Sequence, residues 1–158
     1  QIYEGANGIQ ALDLVGRKLP MHTGRLLRRF FHPLAAFLEE NQADPRMAEF
    51  VAPLAKAFGR LQRATAWIAR QGLGDPEEAG AASSDYLRLF ALVALGYMWA
   101  RMVKVSVAKL DGEQPAFYRS KVATARFFMA RLLPETSALF AAIMAGKNPV
   151  MALNAEAF

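Results

Sequence analysis

With 158 residues, 54% of them hydrophobic, the chain is long enough to bury one sizeable core. It contains no cysteine, which excludes disulfides, thiolate metal sites and a cysteine nucleophile. Its formal charge of +5 and pI of about 9.8 raise nucleic acid and anionic lipid as partners, but the basic residues are spread along the chain, so neither is expected.

Much of the apolar fraction is Ala and Leu, and β-branched residues are sparse, which favours helix over strand. Residues 8–18 carry Ile9, Leu12 and Val15 at helical spacing, with Leu14 and Leu19 nearby. Arg17 and Lys18 suit the C-terminal end of that helix, and Pro20 stops it. A second helix is predicted over 23–42, with Leu26, Leu27, Phe30, Phe31, Leu34, Phe37 and Leu38 on its apolar face. Pro33 inside it should kink the helix or restart it after His32. The clearest pattern spans 46–71, where Met47, Val51, Leu54, Phe58, Leu61, Thr65 and Ile68 alternate spacings of four and three. That is a seam for antiparallel helix packing, with Pro53 expected to bend it and the run from Gly72 to Pro76 marking its end.

Residues 77–83 are small and polar and read as a loop, with Ser83, Ser84 or Asp85 capping a fourth helix that runs to about Leu110. That helix is apolar nearly all round until Arg101, which places it in the middle of a bundle. Its most apolar run, Leu89 to Ala100, falls short of the ~20 residues a membrane span needs, so no span is expected. Tyr97, Met98, Trp99 and Met102 cluster on it and read as packing between helices. After the Asp111-Gly112 turn, Pro115 suits the first position of a helix over 116–133 carrying Phe117, Val122, Phe127, Phe128 and Leu132. Pro134 breaks it, a final helix covers 135–146, and Val150, Met151, Leu153 and Phe158 are placed to anchor the tail. The expected fold class is all-α: an antiparallel bundle of four or five main helices, preceded by a short N-terminal helical arm.

His22 and His32 are ten residues apart with no acid at ligand spacing, so no metal site is expected. No nucleophile-elbow motif accompanies the serines. Arg25, Arg28 and Arg29 form a compact basic face just after Arg17 and Lys18. A solvated helix face is the default reading, and contact with a phosphate group or nucleic acid is the sharper one.

The opening run after Gln1 reads IYEGANGIQALDLVGRKL. It resembles the segment of acyl-CoA dehydrogenases that carries the catalytic glutamate, which in that family reads close to IYEGTNGIQALDLVGRKL. Ala6 stands where threonine is usual. The match is specific because it is long and holds unlike residue types in fixed order. The resemblance implies that Glu4 is the general base, removing a proton from the carbon next to a thioester while a hydride leaves the neighbouring carbon for a flavin. An apolar pocket would raise the carboxyl pKa and make it a useful base. Tyr3 and Gly5 are implied to line the substrate pocket, with the Glu4 backbone N–H as an oxyanion-type donor. Ala6, Asn7, Gly8 and Gln10 fall where this family touches its flavin, and Ala6 lacks the hydroxyl of the usual threonine.

The resemblance further implies FAD as cofactor of the complete enzyme, acyl-CoA as substrate, an electron-transferring flavoprotein as partner, a homo-oligomeric assembly and a bacterial cytoplasmic location. Residues 1–19 would end the catalytic helical domain. Residues 20–158 resemble the extra C-terminal helical domain of the longer bacterial members, a group similar to 3-methylmercaptopropionyl-CoA dehydrogenase. That second resemblance rests on the helical layout, the Asp85-Tyr86-Leu87 start of the fourth helix and the tail from Gly146 to Phe158. The chain by itself is expected to hold no flavin and to be inactive, because the family's flavin site also uses a β-domain and earlier helices. The extension is expected to support assembly. The alternative is a helical module that docks an electron-transferring flavoprotein or another partner through Arg25, Arg28 and Arg29.

Overall fold

Prolines and glycines mark several of the helix boundaries. The computed structural model describes Tyr3, residues 5–153 and residues 155–157, and no strand occurs among them. Helix α1 (Asn7–Asp13) runs into a π-helical turn (Leu14–Lys18) and is followed by α2 (Met21–Asn41), α3 (Ala48–Gly74) and α4 (Pro76–Val107). Helix α5 (Pro115–Phe127) continues through a second π-helical turn (Phe128–Leu132) and a 3₁₀ turn (Leu133–Glu135) into α6 (Thr136–Met144). The expected all-α class, with four or five main helices behind a short arm, is what forms, with five helices after the arm.

Helices α3 and α4 make the most extensive contact, and α5, α6 and the arm pack around α4. All seven residues of the α3 seam are buried, because spacings of four and three keep one stripe of a helix turned toward a neighbour. Opposite it, α4 buries Tyr86, Leu89, Val93, Gly96, Ala100 and Val103. Gly96 is a point of close approach: an added Cβ would lie 3.2 Å from Leu54 Cδ1 and 3.3 Å from Leu133 Cδ1. Glycine there lets side chains from α3 and the 3₁₀ turn reach the α4 backbone. A buried polar pair in this layer is satisfied. Thr65 donates its hydroxyl hydrogen to the Leu61 carbonyl at 2.7 Å, so Tyr86 donates to Thr65 Oγ1 at 2.7 Å. Burial holds the Tyr86 phenol well above its ordinary pKa.

Several expected boundaries and faces move. Residues 77–83 are not a loop; they are the first turns of α4, which Asp75 caps by accepting from the Glu77 backbone N–H at 3.0 Å, with Pro76 at the first helical position. Helix α2 stays helical through Pro33, and the chain departs from helix at His22, Thr23 and Gly24 instead. Helix α5 buries Val122 and Ala125, with Phe128 and Met129 buried in the turn that follows, while Phe117, Phe127 and Leu132 face outward. Met98 and Met102 are also exposed, not interhelical packing. The tail residues Val150, Met151 and Leu153 are exposed and do not anchor it; Phe158 lies outside the described residues.

By length and apolarity, α4 and the run Pro115–Met144 are each sufficient to cross a membrane, so the twelve-residue stretch underestimated α4. In the bundle α4 is the packed central helix, and the second run is interrupted by a π-helical turn and a 3₁₀ turn.

Ion pairs tie the periphery. Arg126 grips Glu49 through Nε and Nη2 at 2.7–2.9 Å, joining α5 to α3, and Arg88 bonds both oxygens of Glu135 at 2.6 and 2.9 Å. Lys147 reaches back from beyond α6 to Asp75 and Glu77, and its backbone N–H donates to Glu78 at 2.9 Å. Gly146, just after α6, makes this return possible: its φ is +70°, and a Cβ there would sit 2.9 Å from Glu78 Oε2.

Two predictions follow from this packing. Gly96→Val is expected to lower unfolding stability by about 1–3 kcal/mol in urea denaturation, since Leu54 and Leu133 must give way. Hydrogen bonds from Arg17 and then Lys18 hold Asp13 at about 2, and those from Arg46, Lys147 and Arg88 lower Asp44, Asp75 and Glu135. These carboxyls titrate lower folded than unfolded, so their stabilisation is present above about pH 4 and lost as pH falls toward 2. Melting temperature is therefore expected to hold from neutral pH to about 5 and to fall below about 4, measured by circular dichroism.

Candidate functional site

The motif that singles out the N-terminal arm lies on its first turns. Glu4 falls outside the described residues, so the expected base has no described position. Tyr3 is fully exposed in a turn. Gly5 has φ +90°, a conformation that favours glycine, and a Cβ there would meet Gln10 Nε2 at 3.2 Å. Ala6 is the N-cap of α1 in extended conformation and offers no side-chain hydrogen bond, so a threonine hydroxyl at this position would have a helix end to cap. Ala6, Asn7 and Gly8 are exposed, Gln10 is half-buried, and the space beyond Gly8 is open for 4 Å. The structure thus brings Gly5 and Gln10 together and leaves Ala6, Asn7 and Gly8 on an open face.

The arm's apolar face differs from its expected stripe. Ala11 and Val15 are buried, while Ile9 and Leu12 are exposed. Small Ala11 allows close approach, and α1 and its π-helical turn both contact α4. Salt bridges from Arg17 and Lys18 to Asp13 brace the turn, the Lys18 pair at 3.0 Å.

Beneath the arm lies a cleft of about 800 Å³, mostly apolar, that periodicity could not reveal. Leu12, Val15 and Leu19 of the arm line one wall, and Leu27, Ile68 and Leu73 line others. The volume falls within the range of small-molecule sites. Its rim includes Thr23 and Gly24, in the segment where the chain turns from the arm into α2. His22 and Thr23 hold φ of 51° and 56°, and Gly24 holds 71°. A left-handed conformation costs a non-glycine residue about 1–2 kcal/mol. Arg28 Nη1 secures the turn by donating to the Thr23 carbonyl at 2.7 Å. Thr65 also lines the cleft, and its hydroxyl is already committed to Leu61 and Tyr86.

Arg25, Arg28 and Arg29 are all exposed, as their spacing predicts, and no ion pair to an acid is recorded for them among the described residues. They occupy the N-terminal part of α2, where the helix dipole disfavours cations. His22 and His32 are exposed, and among the described residues no group of three His, Cys, Asp or Glu could hold a metal ion.

Ala6→Thr is expected to raise stability by about 0.5–1 kcal/mol through a new N-cap. Gly24→Ala should cost about 1 kcal/mol, since alanine must hold a left-handed conformation. Chemical denaturation of both variants measures the two effects with opposite signs.

The family described as acetyl-CoA dehydrogenase C-terminal like matches residues 30–154. Over 139 aligned residues, 87% of the chain, the sequence is 34% identical to 3-methylmercaptopropionyl-CoA dehydrogenase of Ruegeria pomeroyi, covering 24% of that protein. It is 29% identical over 167 aligned positions, 99% of the chain, to the broad-specificity linear acyl-CoA dehydrogenase FadE5 of Mycobacterium tuberculosis, covering 27% of it. A butyryl-CoA dehydrogenase of Syntrophomonas wolfei is 26% identical over 99% of the chain and 26% of its own length. The chain spans about a quarter of the length of these curated relatives. With this match over most of its residues, and an all-helical bundle that realises it, the chain belongs to the acyl-CoA dehydrogenase C-terminal-like domain family.

Proposed function

We propose that the chain acts as the C-terminal helical part of a flavin-dependent acyl-CoA dehydrogenase, with residues 1–19 closing the catalytic domain and residues 20–158 forming a bundle that braces it. The observation that carries the reading is the packing of the motif-bearing arm, through Ala11 and Val15, onto a helix of the family's own domain. Anchoring the motif-bearing arm supports this reading, because positioning is what a general base requires.

In this reading Glu4 takes the proton from the carbon next to the thioester carbonyl, and its backbone N–H supports the carbonyl oxygen as charge develops there. Tyr3 and Gly5 flank the substrate. The open face of Ala6, Asn7 and Gly8 fits one edge of a flavin and not its enclosure, so the remaining contacts must come from elsewhere in the enzyme. The flavin, when bound, supplies the acceptor for the hydride. The 158 residues alone are inactive, and the enzyme is a homo-oligomer of the bacterial cytoplasm.

The basic face gives a second reading. Arg25, Arg28 and Arg29 sit where they do not favour the helix, which supports contact with an acidic surface such as that of an electron-transferring flavoprotein. Reversing all three charges would then slow electron transfer in the complete enzyme, with a loss that shrinks at high salt. Unchanged transfer would leave the bracing role alone.

For the principal reading, Glu4→Gln in the complete enzyme is expected to lower kcat by about 10³-fold while the visible flavin spectrum stays intact. Retained turnover would reassign the base. The 158-residue chain, purified alone, is expected to show no visible flavin band.

A further inference from the structure

We infer that the apolar cleft beneath the arm is a binding site for a single-chain anionic amphiphile, a fatty carboxylate whose hydrocarbon chain fills the cleft and whose head group meets Arg28 at the rim. The cleft holds about 800 Å³ of open space, and none of its sixteen lining residues is charged. Two of them carry a hydroxyl. That of Thr65 is committed to Leu61 and Tyr86, and Thr23 lies at the rim. Such a wall suits a hydrocarbon chain and not a polar ring. Apolar side chains around it stay uncovered: Leu73 is 90% exposed and Leu12 is 50% exposed. Covering them is favourable for an apolar ligand.

Glycines keep the space open. Gly16 lies in the arm's π-helical turn and Gly80 lies within α4, and both line the cleft. A Cβ at either would meet no neighbouring side chain within 4 Å, and neither residue has a positive φ. Glycine is among the least favourable residues in a helix. Neither close packing nor backbone geometry requires it at these two positions, and the effect of both is a wider cleft.

The head group is identified by charge. Arg28 Nη1 donates to the Thr23 carbonyl at 2.7 Å and lies 3.6 Å from where a Cβ of Gly24 would stand, so the guanidinium rests against two residues of the rim. Its Nε and Nη2 donate to no group among the described residues, which leaves donors for a carboxylate. The acids next to the lining residues in sequence are engaged elsewhere. Asp13 pairs with Arg17 and Lys18, Asp75 and Glu77 pair with Lys147, and Glu78 accepts from the Lys147 backbone N–H. A thioester would carry no charge at the end of the hydrocarbon chain, so the site takes the free acid and not a conjugate. The inference rests on the cleft and is independent of flavin chemistry.

Isothermal titration calorimetry of the 158-residue chain with monomeric decanoate tests the site. A dissociation constant on the order of 100 µM is expected, with octanoate at least about fivefold weaker for the loss of two methylenes. Decyltrimethylammonium, with the same chain and the opposite charge, is expected to bind at least about tenfold more weakly than decanoate, and Arg28→Gln should bring the two within about threefold of each other. Gly80→Leu places a side chain in open space and should weaken decanoate at least about tenfold with unchanged helical circular dichroism. Equal affinity for the two head groups overturns the inference, as does decanoate binding that Gly80→Leu leaves intact. Tighter binding of decanoyl-CoA than of decanoate also overturns it.

Discussion

The close approach at Gly96 is the constraint on which the rest of the bundle depends. Side chains from α3 and from the 3₁₀ turn before α6 converge there on the α4 backbone, within 3.2–3.3 Å of where a Cβ would stand. That contact sets α4 in the centre, with the α3 seam on one side and the α5–α6 run on another. Once α4 is held, every other element is placed by what remains of its surface. The Tyr86–Thr65 hydrogen bond keeps that buried polar pair satisfied, so the interior carries little penalty for it.

The N-terminal arm inherits its position from the same helix. Its buried residues are the small Ala11 and the compact Val15, which allow the arm to lie near α4 and leave an apolar cleft between arm, α3 and α2. The chain then reverses through three left-handed residues. Strain of this kind persists only where the surroundings impose it. Here Pro20 ends the arm, and Arg28 holds the Thr23 carbonyl.

Charge is distributed differently from apolar surface. Several acids are engaged in ion pairs, as with Asp75 and Glu77 at Lys147, and Glu78 accepts from the Lys147 backbone N–H. Such exposed pairs add little stability singly, but they fix the return of the chain after α6 to the start of α4. Among the described residues, Arg25, Arg28 and Arg29 form no ion pair, and Arg28 instead donates to the Thr23 carbonyl.

Periodicity by itself determined the helical class, the buried seam of α3 and the central place of α4, because a 3.6-residue repeat reports which stripe of a helix avoids water. The family motif was equally legible, since it is carried by identity and order. Tertiary structure decided what local signals cannot encode. Residues 77–83 became helix because Asp75 and Pro76 cap a helix that packing on α3 then stabilises, overriding their small polar character. Pro33 sits within helix α2, and the departure from helical geometry falls at His22, Thr23 and Gly24 instead. Phe117, Phe127, Met98 and Met102 read as core in sequence, yet hydrophobicity states only that a side chain prefers to leave water. Which of several apolar stripes finds a neighbour is settled by the number of helices available to cover them. In this bundle α4 has more apolar surface than the chain's other helices can enclose.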